Sequence, residues 1–371
     1  MFRYAKGLRK SGRQLSVAAC LVGWSILAVA ADADRMSIIR KGIELHDRGD
    51  YQGAIAAYQS VLADNPVDDL ALHELSLTYM TMQDYAACID TAARGVAIKS
   101  SAQARTIAIL ASCQDDAGHP KDALATFARA MKKHPLDVSL NYNYGVSLQR
   151  AGNSKLALKH LRVAIEQSPA YASPYLSYAK VQKEQGLKAL STLMYLRFLM
   201  LELYSDRANE AAAIAVEPFT PRPGNNAITL TLPKSGKASD ANAMLELMLG
   251  VSRNSVIVQE SEGKPGSFFG SDVIGNTTDA DRTVVAMHTF FIAARLDDEK
   301  EAKLKSDFAW QTVTPLWGVL SEQDVLTVFF YQVAAMAEVD GGREWVAANL
   351  DRIKLLNGVL NTWKTNLDQR K

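Results

Sequence analysis

The 371-residue chain is poor in the residues from which catalytic and metal sites are usually built. It carries three cysteines and six histidines. None of the histidines (His46, His73, His119, His134, His160 and His288) stands in an H-E-x-x-H pattern or beside a nucleophile with a supporting base. That removes the metalloprotease and hydrolase-triad readings. Cysteines and histidines do not cluster closely enough for a zinc site, so no metal and no cofactor is expected. An excess of one charge is also missing: 41 Lys and Arg face 40 Asp and Glu, a formal net charge of +1. No global field therefore attracts nucleic acid or an anionic membrane. Pro233–Lys237 lacks both the glycine spacing of a phosphate loop and the Ser or Thr after its lysine, and reads as a solvated turn. Beyond the first thirty residues no stretch can span a bilayer. The most apolar run, Leu190–Tyr204, is short and interrupted by Arg197 and Glu202, so it reads as a buried helix.

The first thirty residues read as targeting. Arg3, Lys6, Arg9, Lys10 and Arg13 form a basic start, an apolar stretch runs from Leu15 to Ala31, and Ala28-Val29-Ala30 has the small-x-small form of a signal-peptidase site. Cleavage near Ala30 and export to a bacterial periplasm or cell envelope are expected. An uncleaved anchor is the alternative, because the apolar stretch approaches the lower limit for a span. Val17-Ala18-Ala19-Cys20 resembles a lipobox, but the apolar run before Cys20 is too short.

What the chain has in quantity is a repeat. Pro66, Pro135 and Pro169 recur at multiples of about 34 residues, and five helix-pair units begin near residues 35, 69, 104, 138 and 172. A period of this length signals stacked units, each unable to bury its apolar face alone. In unit one Gly42 is the small residue of the first helix, Gly49-Asp50-Tyr51 the turn, and Ala54, Tyr58 and Val61 mark the second helix before Asn65-Pro66. Unit four has Tyr144-Gly145, Leu148, Gly152, Ala157, Leu161, Ala164 and Pro169; unit three has Leu110-Ala111, Gly118, Ala123, Phe127, Ala130 and Pro135. Units two and five depart further: Ser100 stands where unit two should have proline, and Ser191 fills the alanine slot of unit five. Small residues at Gly42, Ala54, Gly145 and Ala157 should let paired helices approach, with Tyr58, Tyr79, Phe127 and Leu161 filling the space between. Glycines 49, 118, 152 and 186 should end first helices.

This pattern resembles the tetratricopeptide repeat, over nearly half the chain. The resemblance implies an all-α, right-handed superhelical solenoid across 31–206, whose first helices line a concave groove for a protein or peptide partner. The groove candidates are Met36, Ile39, Ile43, His46 and Asp47 in unit one and Leu70, His73, Leu77 and Met80 in unit two. Arg105, Ser112, Asp115 and Asp116 follow in unit three, Tyr142, Val146, Gln149 and Arg150 in unit four, and Leu176, Lys180, Lys183 and Glu184 in unit five. The groove begins apolar and becomes polar, which suits a peptide or helix with apolar anchors. The same apolar positions could instead pack against the chain's own N-terminal segment. A chaperone-type carboxylate clamp does not fit: Ile39, Ile43 and Glu74 stand where it needs Lys or Asn, and only Arg105 matches. Cys88 and Cys113 fall on neighbouring helices of the frame. An oxidising compartment permits a bridge, though the favoured expectation is two small residues filling a helix interface.

A proline-rich connector with a short strand is expected over 207–237, the strand at 227–233 pairing with a partner elsewhere. A mostly helical domain follows over 238–371, with helices at 238–249, 279–303, 307–320, 322–339 and 343–367. Trp310, Trp317, Trp345 and Trp363 fall on these helices and read as core rather than a ligand box. Asp281 and His288, seven apart, could share a helix face. The expected function is a non-enzymatic exported scaffold. Two alternatives stand beside it: a ligand-binding or enzymatic C-terminal domain with the repeats as targeting module, and a structural part of an envelope assembly or export system.

Overall fold

The computed structural model describes residues 32–98, 103–220, 249, 278–295 and 325–369. The signal segment, the strand at 227–233, the helix at 307–320 with Trp310 and Trp317, and the Pro233–Lys237 turn lie outside the described residues, as does all but Leu249 of the helix at 238–249. The architecture is all-α, and no strand occurs among the described residues. The chain divides into two compact units, the first ending at Pro135 and the second beginning at Leu136.

The first unit holds three helix pairs: α1 (32–47) with α2 (Tyr51–Asp64), α3 (Asp69–Thr81) with α4 (Tyr85–Ala97), and α5 (Gln103–Asp116) with α6 (Pro120–Met131). Short polar residues start these helices. Asp50, Asp68 and Asp84 each accept a hydrogen bond from the backbone N–H three residues on, satisfying one donor the first turn leaves open. Glycine ends them: Gly49 and Gly118 have φ of +80° and +83° with open space around them, the left-handed conformation that closes a helix. Unit two has Gln83 at that position, at φ 61°. Within the first pair the small-against-large pattern is literal. A Cβ on Gly42 would stand 2.5 Å from the ring of Tyr58, which is fully buried. Tyr58 packs with Ile39, Val61, Leu72 and Leu75 in one core, and Cys88, Ala92, Ile109, Leu110 and Cys113 form a second. Cys88 and Cys113 are joined by a disulfide between α4 and α5, both residues fully buried. The expectation of two unbonded small residues is thus corrected: the frame brings their Cα atoms to 6.3 Å, within bonding range.

The second unit continues with α7 (Val138–Arg150), α8 (Ser154–Gln167), α9 (Ala172–Glu184) and α10 (Lys188–Leu201). Gly145 repeats the Gly42 device, its added Cβ 2.7 Å from Leu161. α10 differs from the other second helices, because every residue from Ala189 to Leu201 is buried. A helix apolar all round needs cover on all sides. α11 (Asp206–Val216), where the sequence suggested the start of a connector, supplies part of it through its alanine face, Ala208, Ala211, Ala212 and Ala215. Four further described helices belong to the unit: α12 (Asp279–Arg295), α13 (Val325–Met336), α14 (Gly342–Ala348) and α15 (Leu350–Asp368). The continuous helix expected over 343–367 is broken at Asn349, whose side chain donates to the Trp345 carbonyl at 2.8 Å while its backbone leaves the helical region. α15 returns to α10. The Arg197 guanidinium, 4% exposed, lies 4.1 Å from the centroid of Trp363 and 5.3 Å from that of Tyr175. Lys364 Nζ donates to the Leu201 carbonyl and Tyr204 Oη to Asn357.

Candidate functional site

In the first unit, α1, α3 and α5 are joined by polar contacts one repeat apart. His46 Nδ1 meets Thr78 Oγ1 at 2.9 Å, and His73 Nδ1 meets Thr106 Oγ1 at 3.2 Å. Thr78 spends its one hydroxyl hydrogen on the Glu74 carbonyl. His46 therefore donates from Nδ1. Its edge also meets the Tyr51 ring at 5.4 Å. Beside this ladder, Met36, Ile43, Leu70, Leu77 and Met80 are half-buried and Asp47, Arg105 and Asp116 exposed; Ser112 and Asp115 are half-buried. Burial and the nearby Arg105 cation hold His73 below the usual imidazole range. Burial also raises Glu74, with Arg105 opposing and Asp47 adding to the rise.

Ile39 is not on this face. At 1% exposure it packs against Tyr58, because it shares a helix side with Gly42 three residues on. In the second unit, Gln149 Nε2 donates to Glu184 Oε1 at 2.8 Å, again one repeat away, and Tyr142 meets Tyr171 edge-on at 5.3 Å. Arg150 and Lys183 are exposed, Val146 and Lys180 half-buried. Leu176, 9% exposed, is closed off. The sequence reading missed Thr78, Thr106 and Tyr171. The signal was present in the offset: His46 and Thr78, His73 and Thr106, and Arg35 and Asp68 are separated by 32, 33 and 33 residues.

The C-terminal candidates come apart. Asp281 is engaged by Tyr331 Oη at 2.5 Å and by the Thr278 backbone and hydroxyl. His288 Nε2 pairs with Thr327 at 3.0 Å and packs edge-on against Phe330. Tyr331 stacks face to face on Trp345 at 4.0 Å, and burial together with Asp281 pushes its hydroxyl far above the usual phenol range.

Residues 39–103 and 112–172 match the family model of the tetratricopeptide repeat. These units are tetratricopeptide repeats. Solved structures similar to the chain include a thermophilic tetratricopeptide-repeat protein from Thermus thermophilus, at 17% identity and a TM-score of 0.44 over 48% of this chain and 98% of that one. Another is YrrB, a tetratricopeptide-repeat protein with an unusual peptide-binding site, at 17% identity and a TM-score of 0.35 over 47% and 89% of the two chains. A third is PilW, a widely conserved type IV pilus biogenesis factor, at 13% identity and a TM-score of 0.44 over 62% and 94%. No curated protein matches the sequence. Within the tetratricopeptide array the matched small and large positions are those in contact, Gly42 with Tyr58 and Gly145 with Leu161. Among the described residues no group of three His, Cys, Asp or Glu could hold a metal ion, and no helix is long and apolar enough to cross a membrane.

Proposed function

We propose that the protein is an exported, non-catalytic scaffold that binds a protein or peptide through the first helices of its tetratricopeptide repeats. The observation that carries this reading is the face of α1, α3 and α5. Half-buried Ile43, Leu70, Leu77 and Met80 sit there beside a polar ladder that spends the histidine and threonine groups on holding the repeats in register. A face with apolar side chains left partly open and its polar groups internally paired suits apolar anchors of a partner. The Cys88–Cys113 bridge supports export, since disulfides persist in oxidising compartments and are rare in the cytosol. The test is crosslinking and mass spectrometry on the full chain in the native envelope, comparing wild type with Ile43→Arg and Leu77→Arg. Both side chains are partly open and pack at the edge of a core, so circular dichroism first establishes that each variant keeps its fold. The expected result is loss of the same crosslinked proteins in both variants with circular dichroism unchanged. An unchanged crosslink profile would overturn the proposal.

A further inference from the structure

The polar ladder of the first unit pairs histidines with threonines and leaves out the charges of the same face. The His46–Thr78 contact ties the end of α1 to the turn of α3 that begins at Glu74, whose carbonyl takes the Thr78 hydroxyl. The His73–Thr106 contact joins the sequence neighbours of Glu74 and Arg105. Glu74 is thus set between Asp47 and Arg105, and both act on it electrostatically. Glu74 is half-buried, and Asp47 and Arg105 are exposed. None of the three side chains makes a hydrogen bond or an ion pair among the described residues, so the Arg105 guanidinium stands outside ion-pair distance of Glu74. Asp115 and Asp116, further along α5, already hold partners.

Beneath the two open carboxylates lies the Tyr58 hydroxyl. It is fully buried, ends beside Thr78 and makes no hydrogen bond. Burial, then Glu74 and Asp47, push it far above the usual phenol range, with Thr78 opposing. Those two carboxylates and the phenol oxygen therefore face one spot, and native structures rarely leave such a buried hydroxyl without a partner. A metal ion does not suit the spot, since no three His, Cys, Asp or Glu gather to hold one among the described residues. What fits is a cation that carries its own hydrogen-bond donors. Apolar side chains flank the carboxylates at helical spacing: Ile43 stands four residues before Asp47, and Leu77 three after Glu74, both half-buried.

We propose that this spot seats a Lys or Arg side chain of the partner segment, its cation between Asp47 and Glu74 and its aliphatic stem along Ile43 and Leu77. Charge complementarity selects the occupant: two carboxylates without partners face a single guanidinium held off at a distance. A charge-assisted bond is about twice as strong as a neutral one, and a half-buried acceptor is screened less than an exposed one. The proposal rests on the partner-binding role of α1, α3 and α5 and adds the charge of the anchor.

The test uses the full chain and a positional library of fluorescent hexapeptides, acetylated and amidated at their ends, read by polarisation at physiological salt. The selected peptides should carry Lys or Arg next to Leu, Ile or Met. Replacing that Lys by acetyl-lysine keeps the stem, removes the charge, and should weaken binding about tenfold. Glu74→Gln and Asp47→Asn keep the shape of each side chain. Each should weaken the Lys peptide to a similar extent and leave the acetyl-lysine peptide unchanged. Arg105→Gln should strengthen the Lys peptide, because it removes the opposing cation. Selected peptides without a cation, an acetyl-lysine peptide that binds as well as its parent, or unchanged binding in Glu74→Gln and Asp47→Asn would each overturn the proposal. Peptides that carry no cation yet lose binding in Leu77→Arg would sink it alone and keep the role of the face. Failure of any peptide to distinguish wild type from Leu77→Arg would sink both. Binding that appears only once residues 1–30 are deleted would give the spot to the chain's own basic start, Arg3 to Arg13, and overturn the partner.

Discussion

The disulfide between Cys88 and Cys113 closes a loop with a sequence separation of 25. In the chain-entropy description, the unfolded state loses about 12 cal/mol/K on closing such a loop, which stabilises the folded state by about 3.5 kcal/mol at 25 °C. That is a large share of the stability of a domain this size, typically about 5–15 kcal/mol. Replacing the cysteines would confound the measurement, because both are fully buried and a smaller side chain would leave a cavity. Reduction keeps the sequence and nearly the volume. The protein should be unfolded in urea with a reductant and refolded under reducing conditions. Its unfolding midpoint is then compared with that of the oxidised form by far-ultraviolet circular dichroism. Native protein should resist the reductant, since neither sulfur is reachable without opening the α4–α5 interface. The reduced form should lose its first unit at lower urea than the oxidised form does. Repeat arrays unfold with nearest-neighbour rather than global cooperativity, so a separate early transition for that unit is the expected form. Oxidised and reduced forms agreeing within about 1 kcal/mol would refute the loop-entropy argument. Reduction of the native protein as fast as that of the unfolded chain would refute the burial.

Other consequences follow from the same contacts. Gln83 holds a left-handed conformation where the other described units have glycine, so Gln83→Gly should stabilise by about 0.5–1 kcal/mol, read as a higher urea midpoint. Gly42→Ala should lose about 1–3 kcal/mol, because its methyl would meet the fully buried Tyr58 ring; a neutral result would show that the first pair is looser than described. Arg197→Met should be at least as stable as wild type, gaining about 1–3 kcal/mol, since Nε and Nη1 are buried without partners among the described residues and a thioether suits the gap between Tyr175 and Trp363. His73 and His160 both titrate below the ordinary imidazole value, chiefly through burial, so the unfolded state binds their protons more readily. Their stabilisation is complete above about pH 6.5 and is lost as pH falls through the window below it. Raised Glu74 acts oppositely, favouring the fold at lower pH and losing that contribution as pH rises through its folded value. Replacing both histidines by Gln should flatten the stability curve just below about pH 6.5, measured by urea unfolding at each pH.

Legibility tracked how local each determinant is. Asp and Asn before a helix, glycine after it, and a small residue facing a large one are decided within about twenty residues, which is why α7 and α8 begin at Val138 and Ser154, behind the Asp137 and Asn153 caps. Ile39 was misread because a repeat frame gives the side of a helix only to within one residue, and a shift of one position separates the face from the Tyr58 core. The disulfide was undecidable for a related reason: the frame made Cys88 and Cys113 neighbours, but whether neighbours bond depends on a few tenths of a nanometre in Cα spacing. The part of the second unit beyond α9 was least legible because its determinants are long-range. Nothing near Arg197 in sequence names Trp363 as the ring that covers it, and nothing in α11 names α13 as its neighbour. The largely apolar character of α10, interrupted by Arg197, was the one visible cue. A second helix that keeps no exposed side cannot end a solenoid facing water, so the chain beyond it had to fold back. That requirement joins α11 and α15 to α10.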